Sequence, residues 1–274
     1  MTKTIVVIKL GGSSLGNPET IEQLASLVKG YQKRRYRVVV VHGGGPAINA
    51  ELTKRNITWQ FINGQRQTTP EMMKVIDEVL AKQVNGALVE NLKQSGVSAR
   101  GLSGADAEIL FCTQATIELM RVGQVESVNT AGIKEILNQF GGKVPVIAPI
   151  GYGAKSVTGS VKFNINADWA ACQIAVALDA KKLIFLTDQN GILDQDKQLI
   201  KRANSQIINM MIEDGTIHGG MFTKVKAMMT ALSAGVKHVR VLNASFAGLA
   251  LSEAIGTLLT DVSTSKGVLH ERAI

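Results

Sequence analysis

Cysteine, aromatic residues and long apolar runs are all scarce in this chain of 274 residues. The two cysteines, Cys112 and Cys172, stand among apolar residues without metal-ligand spacing, so two buried thiols are expected rather than a disulfide or a metal site. The longest apolar runs, such as Ile5–Ile8 and Val38–Val41, fall far short of the roughly 20 residues of a membrane span. Met1–Thr4 and the short run after it do not have the form of a signal peptide, so a cytoplasmic location is expected.

Only 4% of the residues are aromatic, although Lys and Arg outnumber Asp and Glu by 30 to 22 and give a net charge of +8. The basic cluster Lys33–Arg35 with Arg37 lies between a helical pattern and a strand, and is typical of a solvated helix end. Binding of single-stranded nucleic acid needs aromatic stacking platforms, which this composition hardly supplies. We therefore expect no nucleic-acid or membrane partner, and the positive charge suits small polyanionic ligands.

Short β-branched runs alternate with amphipathic stretches along most of the chain, which is 45% hydrophobic. This order predicts an α/β fold, a three-layer α-β-α sandwich with a central, mainly parallel sheet. The predicted strands are Ile5–Leu10, Val38–His42, Val144–Ala148, Leu183–Thr187 and Val239–Leu242. The predicted helices are Pro18–Lys33, Pro70–Ser95, Thr130–Phe140, Ala167–Leu178, Asn204–Glu213 and Met221–Ala234.

Two segments interrupt this alternation and are predicted to form hairpins. They are Ile57–Arg66 and Gly151–Phe163, the second with Thr158-Gly159 at its turn. Such excursions in α/β sheets tend to lie at the carboxyl ends of the strands, where ligands bind. With no internal repeat or flexible linker, the chain is expected to form one compact unit.

Two glycine-rich segments follow the first two predicted strands directly. They are Lys9-Leu10-Gly11-Gly12 and His42-Gly43-Gly44-Gly45, and each allows backbone N–H groups to point at an anion. Neither segment matches the P-loop pattern or the dinucleotide-binding pattern, and the signature set of protein kinases is absent. A phosphate site of another kind is therefore favoured.

Polar motifs farther along the chain are weaker evidence when taken singly. Asp168 lies at the start of a predicted helix, where the helix dipole alone would stabilise an acidic side chain. Lys224 could be an ordinary surface lysine. The segment Leu186–Leu193 runs from a strand into a polar turn that suits a nucleotide without being diagnostic.

Taken together and in this order, these motifs resemble those of the amino-acid kinase family. The resemblance extends from Lys9 to Lys224 and covers most of the chain. It rests on the two glycine-rich segments above and on Asn63–Thr68 (NGQRQT), Val128–Thr130 (VNT), Asn164–Asp168 (NINAD) and Gly219–Lys224 (GGMFTK).

The resemblance implies one domain over residues 1–274, with an acceptor-binding lobe over about 1–178 and an ATP-binding lobe over about 179–274. It implies that Lys9 and Lys224 flank the transferred phosphoryl group and that Asp168 orients both lysines. It implies that Gly44, Gly45, Arg66 and Asn164 bind the acceptor. It further assigns Gly11, Gly12, Asp188, Gly191, Ile192, Leu193, Thr216, Ile217 and His218 to the phosphates and the nucleotide. Mg²⁺ is expected on ATP oxygens and water, without metal ligands from the protein.

Within the family, the acceptor pattern is similar to that of members acting on N-acetyl-L-glutamate. The implied reaction is ATP-dependent phosphorylation of its γ-carboxylate in arginine biosynthesis. Two alternatives stay open: a sister kinase acting on an aminoadipate derivative, aspartate or uridylate, or a catalytically silent ligand sensor. Retention of Lys9 and Lys224 speaks against the sensor, because binding alone needs neither lysine.

The chain also departs from the family pattern. The segment 243–256 is divergent, so no site residue is assigned there, and Trp169 is bulkier than expected and is predicted to pack in the core. Arginine-inhibited members carry an extra N-terminal helix that joins subunits into a hexamer, whereas only Met1–Thr4 precede the first predicted strand. We therefore expect a homodimer, formed through a helix such as Pro70–Ser95, and no feedback by arginine.

Overall fold

A computed structural model describes residues 4–139, 142–156 and 159–260 of the chain. The first half forms β1 (Ile5–Leu10), α1 (Pro18–Lys33), β2 (Arg37–His42), α2 (Gly45–Lys54), β3 (Phe61–Ile62), β4 (Gln65–Arg66), α3 (Pro70–Asp77), a π-helical segment (Glu78–Val84), α4 (Asn85–Gln94), β5 (Ala99–Ser103), β6 (Leu110–Gln114), β7 (Gly123–Val128) and α5 (Ala131–Asn138). The second half forms β8 (Val144–Ala148), β9 (Ile150–Ser156), β10 (Gly159–Asn164), α6 (Ala167–Ala177), β11 (Lys182–Thr187), β12 (Arg202–Ala203), α7 (Ser205–Glu213), α8 (Gly219–Ser233), β13 (His238–Asn243) and β14 (Thr257–Leu259). Short 3₁₀ helices cover Gly12–Ser14 and Ala244–Leu249.

Eight strands form the central sheet, in the order β12-β14-β13-β11-β1-β2-β8-β5. Neighbouring strands from β13 to β5 run parallel, whereas β14 pairs antiparallel with β13 at one side. The carboxyl ends of the parallel strands therefore meet at one edge. Lys9 lies there near the end of β1, and the glycines that follow His42 lie there after the end of β2.

Alternate residues of the strands pack on opposite faces of the sheet. Val7 and Phe185 belong to one buried cluster with apolar residues of α6 and α8, while Ile8 and Ile184 belong to a second cluster with apolar residues of α1 and α4. This arrangement confirms the predicted three-layer α-β-α sandwich. The strand and helix predictions agree with the structure to within one or two residues, except in the long predicted helix Pro70–Ser95 and where Phe140 lies outside the described residues.

Both predicted hairpins are present. The first is the small β3–β4 pair, whose turn places Asn63 and Gly64 at positive φ. The second is the longer β9–β10 pair, which joins β6 and β7 in a separate four-stranded sheet. The predicted turn at Thr158 lies outside the described residues.

The predicted helix Pro70–Ser95 forms as α3, the π-helical segment and α4 in direct succession. Thr69 caps its start, because the Thr69 hydroxyl accepts a hydrogen bond from the Met72 amide at 3.2 Å. Leu80, within the π-helical segment, lines the smaller of the two clefts described below. Single π turns inside α-helices are frequent at functional sites.

Cys112 and Cys172 are free and buried, and burial raises the pKa of each thiol to about 12. Trp169, in the first turn of α6, is half-buried and packs against the core. In the divergent segment 243–256, the 3₁₀ helix packs on α1, and Arg240 donates to the carbonyls of Ala250 and Ser252 at 2.9 and 3.1 Å.

No helix within the described ranges has the length and apolar character to cross a membrane.

Candidate active site

Two clefts meet at the carboxyl edge of the central sheet. The larger cleft has a volume of about 530 Å³ and lies between the carboxyl end of β11 and the start of α8. The smaller cleft has a volume of about 340 Å³ and lies between the two glycine-rich loops, the β3–β4 hairpin and the end of β10. Gly64, Asn166 and Asp168 line both clefts.

Asp168 joins Lys9 and Lys224 where the clefts meet. Its Oδ1 lies 2.8 Å from Lys9 Nζ, and its Oδ2 accepts a hydrogen bond from Lys224 Nζ at 3.0 Å. Asn166 caps α6 by accepting hydrogen bonds from the amides of Asp168 and Trp169, and this cap fixes Asp168 in the first turn. The two oxygens of one carboxylate thus hold two ammonium groups, one on each side of the junction.

These three residues are almost completely buried, each with 7% of its surface exposed. Burial raises the pKa of Asp168, but the charges and hydrogen bonds of Lys9 and Lys224 outweigh it, so that the pKa lies below the usual value. Burial and the charge of Lys9 lower the pKa of Lys224, and Asp168 partly opposes them. With both lysines protonated, the group carries one net positive charge, which an anion between the clefts can neutralise.

The two glycine-rich loops pack directly against each other. A Cβ atom at Gly12 would lie 2.6 Å from the Gly44 amide nitrogen and 2.8 Å from that of Gly45. Real Cβ atoms do not approach backbone this closely, so a side chain at position 12 would force the loops apart. Gly12, Gly44 and Gly45 all line the smaller cleft.

Gly11 does not fit the role that the sequence predicts for it. Its N–H donates to the Leu186 carbonyl at 2.9 Å, and Gly11 lines neither cleft. Because the Gly11 N–H already donates to β11, it is not available to a phosphate. Gly12, which is assigned to the phosphates together with Gly11, lines the smaller cleft.

His42, the last residue of β2, contacts the second glycine-rich loop and is completely buried. Its Nδ1 lies 2.6 Å from the Gly43 carbonyl, and its Nε2 lies 3.0 Å from Asn85 Nδ2. A neutral imidazole that donates from Nδ1 and accepts at Nε2 satisfies both contacts. Burial lowers the pKa of His42 to about 4, despite the opposing hydrogen bond to Gly43.

The smaller cleft contains every residue that the sequence assigns to the acceptor: Gly44, Gly45, Arg66 and Asn164. Arg66 is buried and donates from Nη2 to Asn49 Oδ1. Asn164 donates to the Thr68 hydroxyl at 3.1 Å. The cleft therefore combines amide and guanidinium groups with Lys9 at its inner end.

The larger cleft contains seven of the residues assigned to the nucleotide: Asp188, Gly191, Ile192, Leu193, Thr216, Ile217 and His218. Gly191 has a φ of +152°, and a Cβ atom there would lie 2.7 Å from Thr257 Oγ1, so the turn after β11 needs glycine. Lys224 lines this cleft, as Lys9 lines the smaller one.

Sequence reasoning missed three contributors to the site. Asn166 belongs to the motif Asn164–Asp168, and its position just before a predicted helix is the signal that it caps α6. Gly64 lies at the tip of the β3–β4 hairpin and reaches both clefts. Asn243 binds the turn after β11, where its Nδ2 donates to the Asp188 carbonyl at 3.2 Å and to Asn190 Oδ1 at 3.1 Å.

No group of three or more His, Cys, Asp or Glu side chains suited to a metal ion occurs among the described residues. The carboxylates that line the two clefts are Asp168, which both lysines contact, and Asp188 in the larger cleft.

Comparison with known sequences identifies several similar proteins. The model of the amino acid kinase family matches residues 4–243. The chain is 39% identical to an acetylglutamate kinase from Brevibacillus brevis, over 92% of this chain and 96% of the relative. It is 40% identical to an acetylglutamate kinase from Bacillus cereus, over 93% and 96% of the two chains.

Solved structures have the same fold. The crystal structure of smu.665 from Streptococcus mutans matches with a TM-score of 0.80 and 30% identity, over 94% of this chain and 99% of that one. Giardia carbamate kinase matches with a TM-score of 0.72 and 17% identity, over 96% and 100% of the chains. At that identity the second comparison supports the fold alone.

Proposed function

This chain belongs to the amino acid kinase family, and we propose that it transfers the γ-phosphoryl group of ATP to the γ-carboxylate of N-acetyl-L-glutamate. The products are N-acetyl-L-glutamyl 5-phosphate and ADP, in a step of arginine biosynthesis. The curated relatives named acetylglutamate kinase, 39–40% identical over almost the whole chain, support this reaction. The observation that carries the mechanism is the Lys9–Asp168–Lys224 bridge at the junction of two clefts.

The acceptor occupies the smaller cleft in this proposal. Arg66 binds the carboxylate that does not react, because a guanidinium fork matches a carboxylate in geometry and charge. Asn164 binds the amide end of the acceptor, and the amides of Gly44 and Gly45 face its reacting end. The reacting γ-carboxylate then lies beside Lys9.

ATP occupies the larger cleft, with its nucleoside near Asp188–Leu193 and Thr216–His218 and its γ-phosphoryl group at the junction. The acceptor oxygen forms a bond to the γ-phosphorus as the bond to the β-phosphate oxygen breaks, and ADP leaves with that electron pair. Lys9 and Lys224 neutralise charge on the transferring oxygens. Asp168 keeps both ammonium groups in place, and no general base is required because the γ-carboxylate is ionised at neutral pH.

We include Mg²⁺ with ATP, held on phosphate oxygens and water, in a cleft that Asp188 also lines. When bound, the ion would neutralise phosphate charge. The need for ATP favours a cytoplasmic location.

The proposal also divides the molecule into an acceptor lobe over about 1–178 and a nucleotide lobe over about 179–274. We further propose a homodimer formed through the helix from Pro70 to Gln94. Its apolar side is buried within the chain, and its exposed side carries polar residues together with Gly86 and Ala87. Small residues at this position allow two copies of the helix to approach closely.

The reaction is tested by trapping the acyl phosphate with hydroxylamine. Protein and MgATP are incubated with N-acetyl-L-glutamate, L-aspartate, an N-acyl aminoadipate or uridylate, and the hydroxamate and ADP are measured. We expect equal amounts of hydroxamate and ADP with N-acetyl-L-glutamate. Preference for another acceptor would indicate a sister kinase, and nucleotide binding without ADP release would indicate a ligand sensor.

A further inference from the structure

The β3–β4 hairpin places two aromatic side chains against Arg66. Arg66 Cζ lies 4.8 Å from the ring centroid of Phe61 and 4.9 Å from that of Trp59. The two rings are nearly perpendicular, with an interplanar angle of 89° and centroids 5.8 Å apart. The guanidinium group therefore lies in a corner formed by both rings, called here the aromatic corner.

The β3–β4 pairing builds this corner directly. Phe61 stands opposite Arg66 in the antiparallel register, so their side chains are on the same face of the hairpin. Gln60 and Gln67 continue the pairing through a backbone hydrogen bond of 3.1 Å and a side-chain hydrogen bond of 2.9 Å. These contacts fix the strand that carries Trp59 relative to Arg66.

Burial of apolar surface does not account for the corner. Trp59 is 37% exposed and Phe61 is 52% exposed, so neither ring belongs to a core. What the rings share is the guanidinium of Arg66, and cations over aromatic faces are stabilised when they are desolvated.

Arg66 itself is left incompletely bonded. Asn49 accepts from Nη2, while buried Nη1 has no hydrogen-bond partner among the described residues. Burial also lowers the pKa of Arg66. A buried donor without a partner is costly, and an anionic ligand group would remove this cost.

We propose that Trp59 and Phe61 are positioning residues, which hold the guanidinium of Arg66 so that Nη1 is kept for the second carboxylate of the acceptor. The aromatic corner restricts a flexible side chain before the acceptor arrives, and this pre-organisation favours dicarboxylates over acceptors with one carboxylate. The inference rests on the proposed function, because it takes the smaller cleft to be the acceptor site.

The kinetic test compares Trp59→Leu with Trp59→Phe. The leucine removes the aromatic face, whereas the phenylalanine keeps one. We expect Trp59→Leu to raise the acceptor KM about tenfold, with kcat and the ATP KM changed less than about twofold, and Trp59→Phe to restore most of the loss. Tyr36→Leu is the matched control, because Tyr36 forms a similar edge-to-face pair with Tyr31. Tyr36 lies just before the start of β2, whereas the glycine-rich loop of the site follows the end of that strand.

A double variant separates positioning from direct contact with the acceptor. If Trp59 acts through Arg66, adding Trp59→Leu to Arg66→Lys changes the acceptor KM less than about twofold further, because the fork is already lost. If Trp59 contacts the acceptor itself, the two effects multiply.

A binding readout is independent of turnover. Trp59 and Trp169 are the two tryptophans of the chain, so Trp169→Phe leaves Trp59 as the single source of tryptophan fluorescence. We expect its fluorescence to change with N-acetyl-L-glutamate and not with an ATP analogue alone.

The outcomes distinguish this inference from the proposed function. Wild-type protein that forms the hydroxamate, together with an unchanged acceptor KM in Trp59→Leu, would overturn the positioning role and leave the reaction intact. Multiplicative effects in the double variant would also overturn it. Absence of hydroxamate with N-acetyl-L-glutamate would instead contradict the proposed function.

Discussion

At the scale of single residues, Lys9 and Lys224 are unusual because both ammonium groups are buried and share one carboxylate. Such lysines have lost much of their hydration, so their charge acts strongly on an anion placed between them. Asp168 compensates half of that charge and leaves the remainder for the reacting group. This balance suits a site that stabilises transient negative charge.

Replacing either lysine should therefore affect turnover more than binding. We expect Lys9→Ala and Lys224→Ala to lower kcat by about a thousandfold or more, while the acceptor KM changes only a few-fold. Steady-state kinetics measure both constants. Lys226→Ala, which removes a less buried lysine of the same helix, should retain near wild-type turnover, and similar turnover in Lys224→Ala would refute the assigned role.

His42 makes stability depend on pH in a defined window. The unfolded chain takes up a proton near the ordinary pKa of 6.5, whereas the folded chain does so only near the lowered pKa of about 4. The free energy of unfolding should therefore decrease by about 3 kcal/mol as pH falls from 7 to 4.

Denaturant unfolding at several pH values checks this expectation. His42→Gln should flatten the curve between pH 6.5 and 4, whereas His238→Gln, at a partly exposed histidine, should leave most of the slope. An unchanged slope in His42→Gln would show that other groups cause it. Loss of the Asp168 charge acts at lower pH, because its pKa lies below the usual value.

At the scale of structural elements, the two glycine-rich loops act as one unit, because a Cβ atom at Gly12 would clash with the amides of Gly44 and Gly45, and one at Gly43 would lie 2.9 Å from the Gly12 amide nitrogen. We expect Gly12→Ala to lower kcat/KM about a hundredfold or more, since the backbone of Gly44 and Gly45 would have to move. Gly16→Ala provides the control, as no atom of the described residues lies within 4 Å of the added atom. Equal activity in the two variants would contradict the close packing of the loops.

The elements that sequence reasoning predicted well are those with a clear apolar period, such as β1, β11 and α1. It missed α2, because Gly43–Pro46 has the composition of a loop and conceals the helix start. It also missed β5 and β7, since Ala99–Ser103 and Gly123–Val128 are partly exposed and short of β-branched residues. The π-helical segment has no distinct sequence signal within the longer helical pattern.

The site shows the same division between local pattern and tertiary contact. Lys9, Asp168 and Lys224 could be selected from their motifs, and the structure brings them together. The hydrogen bond that occupies Gly11 could not be foreseen, because it depends on the pairing of β1 with β11. The aromatic corner around Arg66 was equally hidden, since it depends on the register of a hairpin with only two residues in each strand.

At the scale of the whole molecule, the proposed homodimer can be tested separately from the chemistry. We expect light scattering to give twice the mass of one chain. Ala87→Arg on the exposed side of α4 should shift the protein towards monomer, because a charged side chain prevents close helix contact. Ile117→Arg, at a residue that is 89% exposed elsewhere, is the control. A dimer unaffected by Ala87→Arg would place the interface on another surface.

The central claim is that the γ-carboxylate of N-acetyl-L-glutamate attacks the γ-phosphorus of ATP. The most direct measurement uses acceptor labelled with ¹⁸O at both γ-carboxylate oxygens, followed by hydroxylamine treatment and mass spectrometry of the released phosphate. Hydroxylamine attacks the acyl carbon, so the bridging oxygen leaves with phosphorus. The account predicts phosphate carrying one ¹⁸O for each hydroxamate formed, and unlabelled phosphate would contradict it by showing that water was the phosphoryl acceptor.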